Sequence, residues 1–176
     1  MYTKAVAATA ILLSEKAGLP LKDVIAFTDG LIFGLIQKND FEALNTCLTD
    51  AQDLAEDIQQ ALAHFAKKDL FDILEGIKDI GKALSDLEKD VGDCKAIKPD
   101  IDRIKAWAVI FKQPKKLMET IVTNTLVHGP QIYGDIAKMI TDIGAHQMHN
   151  TGEDIADILV TAIGPIPEIS VEDSLL

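Results

Sequence analysis

A chain of 176 residues suits one domain and can bury most of its apolar surface without metals or dense disulfides. Its 48% apolar content with only 5% aromatic residues points to a core of Leu, Ile, Val and Ala, natural for packed helices and unusual for sheets. Seventeen basic against 28 acidic side chains leave a net charge of -11, which repels polyphosphate backbones and anionic headgroups and argues against nucleic acid as a partner. No apolar run reaches the roughly 18–20 residues of a membrane-spanning helix.

The opening stretch MYTKAVAATAILLSEKAG carries one Lys followed by small and apolar residues up to Leu13. We expect a retained helix over residues 3–17, the alternative being a degenerate signal peptide. Next comes KDVIAFTDGLIFGLIQKND, Lys22 to Asp40, expected as a helix over residues 20–38 with almost no polar face. In a bundle of one-sided helices, such a helix normally takes the centre. Gly30 and Gly34 lie on one of its faces, where a neighbouring backbone can approach closely. The alternative is that Phe27, Gly30, Leu31, Phe33 and Gly34 form a surface for a partner helix or one wall of an apolar ligand cavity.

The strongest periodicity is central. Leu44, Leu48, Ala51, Ala55, Ile58, Leu62 and Phe65 recur at steps of four and three, and Leu70, Ile73, Ile77, Ile80, Leu84, Leu87 and Val91 repeat that spacing. Each set traces one stripe along a helix, and a sustained heptad keeps two nearly antiparallel seams in contact. Only AKKD separates them, so helices over residues 46–67 and 69–91 form an αα-hairpin, with Asp69 as a cap. Thr49 and Gln52 fit a capping box that would start the first helix one turn later.

Pro20, Pro99, Pro114 and Pro130 precede periodic segments, as proline does in a first helical turn. Further helices are expected over residues 98–111, 114–127, 130–148 and 151–163, the last capped by Thr151. No segment alternates with a period of two, so no sheet is expected. After Gly164 the run PIPEISVEDSLL has no helical period. The expected architecture is all-α: a compact bundle of six to eight helices around the central hairpin, a single helical domain over residues 1–164, and an extended acidic tail over residues 165–176.

Cys47 and Cys94 are the only cysteines and fall on opposite arms at the open end of the hairpin. A disulfide there is geometrically reasonable; the alternative is two buried free thiols. Neither has a CxxC partner or zinc-site spacing. His146 and His149 in HQMHN stand close enough on a helix to share a metal, with Glu153 and Asp154 following. No HExxH accompanies them, and they are read as polar residues of an exposed connection. Asp50, Asp53 and Asp57 line the hairpin's outer face and are read as a solvated face, the alternative being a weak calcium site or a docking surface for a basic partner; the pattern of a calcium loop is absent. Lys112, Lys115 and Lys116 cluster around Pro114 and are read as surface, the alternative being contact with an anionic partner. His64 is placed near a helix C-terminus, where a cation is mildly favoured. No GxSxG, Walker or GxGxxG motif is present, so no catalytic residue, metal site or cofactor is assigned.

Taken in order, TCLTDAQDLAEDIQQALAHFAKKDLFDILEGIKDIGKAL, VGDCKAI, AVIFKQP and LVHGPQIYGDI resemble small helical proteins encoded in many copies by ciliates and related protists. The likeness runs from about Phe27 to Ile140. It implies a secreted or lumenal protein with Cys47 and Cys94 paired, and it brings no established catalytic activity. The functional expectation is a non-catalytic structural or interaction protein, an accessory or self-associating subunit with a protein partner or a second copy. The alternative is a carrier of a lipid or other apolar ligand held between helices.

Overall fold

The computed structural model describes residues 19–91 and 93–167. The helix expected over residues 3–17 and residues 168–176 of the expected tail lie outside the described residues. Helix α1 (Leu21–Ile36) opens after Pro20 and stops where Gln37 turns left-handed, its N–H bonding to Phe33 O. A short α2 (Phe41–Cys47) follows. Then come the hairpin helices α3 (Gln52–Lys67) and α4 (Leu70–Val91), α5 (Lys98–Trp107) with a 3-10 turn over Ala108–Lys112, α6 (Pro114–Gly144) and α7 (Met148–Ile163). No strand occurs among the described residues.

The hairpin forms as its heptads require. Ile58 and Ile77 are both fully buried, as are Leu62, Phe65, Ile73 and Ile80. Lys68 adopts a left-handed conformation at the reversal, and Asp69 Oδ1 accepts from the Asp72 N–H at 2.8 Å, capping α4. His64 Nδ1 lies 2.7 Å from Asp79 Oδ2, tying the last turn of α3 to α4.

The first arm is shorter than its stripe. Leu44, Leu48 and Ala51 are buried in register, but they belong to α2 and to an extended link. Leu48 turns into β geometry, and α3 starts at Gln52 behind Ala51 with no side-chain cap. The hydrophobic pattern reports which residues are buried; it does not report a bend of the backbone that leaves those residues facing the same core.

Two boundaries elsewhere also differ. Pro130 interrupts α6 without ending it: the hydrogen-bonded rod runs on, bent at His128 with φ -115° and ψ 24°, because a proline inside a helix removes one bond and tilts the chain. The segment expected over residues 130–148 instead stops at Gly144, His146 turns left-handed, and α7 starts at Met148 rather than Thr151. Thr151 then lies inside the helix, its hydroxyl donating to Gln147 O at 2.9 Å.

Helix α7 lies between α1 and α6, and the α3–α4 hairpin closes the other side of one apolar core. Residues 164–167 are not free. Ile166 is buried, Trp107 Nε1 donates to Gly164 O at 3.0 Å, and Arg103 Nη2 donates to Pro167 O at 3.0 Å.

Three carboxyl pairs join elements across this bundle. Burial and a shared hydrogen bond with Asp100 on α5 push Asp40 up to about 7. Burial and Asp86 on α4 push Asp57 of α3 up to about 7. Burial and Asp142 on α6 push Asp154 of α7 up to about 8. Lys138 Nζ stands 3.6 Å from Asp154 Oδ1 and draws that pKa downward without overcoming burial and Asp142; Asp142 Oδ2 and Asp154 Oδ2 lie buried with no other partner, the arrangement that a proton shared between two carboxyls satisfies.

These shifts set the sign of the pH dependence. In the unfolded chain an Asp releases its proton near 3.9, whereas these carboxyls keep theirs in the fold up to about 7 or 8. Between those limits the native state binds more protons, so stability falls as pH rises. Thermal melts should therefore show Tm rising from pH 8 to pH 5. The Asp154→Asn variant, which imitates the protonated acid, should flatten that slope. A gain of about 1 kcal/mol corresponds to roughly 2–4 °C in a chain of this size, and a Tm that falls over the same interval would refute the assignment.

Candidate functional site

An apolar concavity opens beside the α4–α5–α6 junction, with a volume of about 510 Å³. That is within the range of small-molecule sites, roughly 300–1,000 Å³. Its floor is built from Leu84 and Leu87 of α4, Ile101 and Ile104 of α5, and Leu117 of α6, all buried members of the core. They face the groove because the heptad stripe of α4 extends beyond the length that α3 covers, leaving α5 and α6 to cover the remainder.

The wall is made by the 3-10 turn. Proline at position 114 starts α6, and the turn before it projects Val109 and Phe111 along the opening. The Phe111 ring lies against Gly81, where a Cβ would collide with it, and meets Trp107 edge-on with centroids 6.2 Å apart. Val109 remains 47% exposed, so the turn presents apolar surface to the groove's mouth.

Lysines ring that mouth: Lys78 and Lys82 on α4, Lys105 on α5 and Lys112 on the turn. Lys105 holds Glu88 at 2.6 Å and Lys78 reaches Glu75 at 3.4 Å. Lys82 and Lys112 form no ion pair among the described residues. Lys112 belongs to the lysine cluster that the sequence could offer to an anionic partner, but nothing in the sequence links it with Lys82, thirty positions earlier. Only the return of the chain from α4 through α5 to the 3-10 turn brings them to one rim.

The site expected on α1 is filled from within. Phe27, Gly30 and Leu31 are buried, with Phe33 and Gly34 half-buried, and α7 covers them. A Cβ on Gly30 would strike the backbone of His149, one on Gly34 would strike Ala156, and one on Gly152 would strike the Phe27 carbonyl. The stripe is thus a seat for the chain's own last helix rather than an open docking or ligand surface. The sequence shows half of the physical reason: Gly30 permits a close approach, while its counterpart Gly152 stands in TGED with no local signal of a helix crossing.

Cys47 and Cys94 are joined, with Sγ–Sγ 2.04 Å and Cα–Cα 6.1 Å. The bond ties the end of α2 to the connection between α4 and α5. His146 and His149 do not converge on a shared point. His146 Nε2 lies 3.2 Å from Asp23 Oδ1, and His149 Nε2 lies 3.1 Å from Asp29 Oδ2. His149 Nδ1 also reaches Glu153 Oε1 at 3.4 Å. Both partner aspartates are buried on α1, so the two histidines tie the start of α7 and the link before it to α1. Among the described residues no three His, Cys, Asp or Glu side chains are grouped as metal ligands. Asp50 and Asp53 are exposed, while Asp57 turns towards Asp86. No helix among the described residues is long and apolar enough to cross a membrane.

A family model described as SctB-like, secreted protein B-like, matches residues 10–163. No curated protein and no solved structure matches. The match carries the secreted character that the sequence resemblance implied, and has no bearing on a protist origin.

Proposed function

The chain belongs to the SctB-like, secreted protein B-like family, and from that premise we propose that it is a secreted, non-catalytic binding protein that carries an apolar ligand in the α4–α5–α6 groove. One observation supports this reading above the others. The groove is an open concavity of about 510 Å³ whose aliphatic base is packed into the core, and beside that base the 3-10 turn presents Val109 and Phe111 as an apolar wall, an arrangement that suits an apolar ligand laid along the wall. The disulfide between Cys47 and Cys94 suits an oxidising, extracellular setting.

An accessory or self-associating subunit is the competing reading. It draws support from Leu126 and Val127, which stand 76% and 66% exposed just before the bend in α6. Apolar side chains so far out of the core are a feature of partner contacts when they adjoin one another.

Native mass spectrometry of the protein collected from the medium of its own cells separates the two. The carrier reading expects a monomer with a bound mass that is lost on denaturation. A fixed oligomer with no added mass would overturn it in favour of the subunit.

A further inference from the structure

We infer that the ligand of the α4–α5–α6 groove is a single-chain fatty carboxylate, its hydrocarbon on the aliphatic floor and its anionic head at the lysine rim; this rests on the carrier reading above. The charge pattern supplies the argument. Acidic side chains outnumber basic ones by 28 to 17, yet the groove lining holds Lys78, Lys82, Lys105 and Lys112 against Glu88 alone. Lys105 is engaged by Glu88 and Lys78 by Glu75, which leaves Lys82 and Lys112 as the cationic side of the rim on a protein that is strongly anionic elsewhere.

Lysines beside apolar surface often do no more than lay their methylene stems over it. Here, however, Lys82 and Lys112 approach the opening from two different elements, α4 and the 3-10 turn, and neither meets a carboxylate of the protein at ion-pair distance. Lys82 does feel Asp57, whose carboxyl it draws downward against burial, but without an ion pair; a carboxylate carried by the ligand gives Lys112 a partner and Lys82 a closer one. The compact, mobile ammonium of lysine suits a head group whose position shifts with chain length, where an arginine fork would demand one geometry. One chain fits a volume of about 510 Å³ in the lower part of the range for ligand sites.

The test is isothermal titration calorimetry on the full oxidised chain with laurate, dodecanol and dodecyltrimethylammonium, each below its aggregation concentration. Laurate should bind at least about tenfold more tightly than dodecanol, a difference of about 1.4 kcal/mol, and should weaken as salt is added. The Lys82→Glu/Lys112→Glu variant should lose about tenfold or more for laurate and leave dodecanol unchanged. Ser85→Trp, at an exposed position of the groove lining, should weaken both by filling the mouth. If reversal of charge unfolds the chain, Lys82→Gln/Lys112→Gln serves with a smaller expected loss.

Equal binding of laurate and dodecanol, or tighter binding of the ammonium, would overturn the carboxylate while leaving an apolar groove standing. Binding of none of the three, or binding indifferent to Ser85→Trp, would overturn the carrier reading itself.

Discussion

The Cys47→Ala/Cys94→Ala variant should lose about 4 kcal/mol of stability, the chain-entropy value for a cross-link spanning 47 residues. Set against the ~5–15 kcal/mol that holds a typical domain together, this is a large fraction. In Tm it corresponds to roughly 8–16 °C, at about 2–4 °C per kcal/mol for a chain of this size. The loss should also be uneven. Helix α2 has seven residues, no side-chain cap and one buried side chain, Leu44. Isolated helices of that length do not persist in water. What fixes α2 is the disulfide at its end and the Asp40 N–H at its start, which donates to Asp29 Oδ1 at 3.0 Å. Without the sulfur bridge, amide exchange should rise first over residues 41–48, while the hairpin of α3 and α4 keeps its protection. A double variant that melts within about 2 °C of the parent, with α2 amides still protected, would show that burial of Leu44 and Leu48 suffices and that the cross-link is dispensable for the fold.

How far the sequence could be read follows from what each signal encodes. Heptad spacing encodes burial, and Ile58, Leu62, Ile73, Ile77 and Ile80 were legible because a helix has one way to put them on the same side. Boundaries were legible where a local residue enforces them, as Asp69 does at α4. They were not legible where tertiary contacts decide. Leu48 and Ala51 keep the stripe buried although the helix has already ended, and Pro130 looks like a stop although α6 passes through it bent. The candidate groove was almost invisible for a related reason. Its lysines belong to three elements, at positions 78, 82, 105 and 112, and no linear pattern marks side chains that converge only after the chain turns back from α4 into α5. The disulfide lies between these cases: two cysteines at the open end of a predicted hairpin state a possible bond, and the fold decides it.

The α1–α7 seam yields the other large effect. Replacing Gly152 by Ala should destabilise the protein by about 3 kcal/mol or more, the upper end of what overpacking costs. In a free helix the same change is favourable by up to ~1 kcal/mol, so the sign depends on what the new methyl meets. At Gly152 it meets the Phe27 carbonyl oxygen, and the Leu31 amide nitrogen stands 2.7 Å away. Both are backbone atoms that cannot turn aside as a side chain can, and α1 and α7 would have to separate along their whole contact. Separation would also lengthen the His149–Asp29 contact of 3.1 Å, leaving a buried carboxylate on α1 with one partner fewer. Gly30→Ala, which strikes the His149 backbone from the other side, should cost a similar amount. The two losses together should fall short of their sum, since the first methyl has already forced the helices apart. Gly134 on α6 supplies the control: nothing lies within 4 Å of the position a Cβ would take, so Gly134→Ala should stabilise by about 0.5–1 kcal/mol. Denaturant unfolding of the four variants checks the whole pattern. Gly152→Ala with stability equal to or above the parent would mean that the helices do not cross at these glycines, and the apolar stripe of α1 would again need something else to cover it.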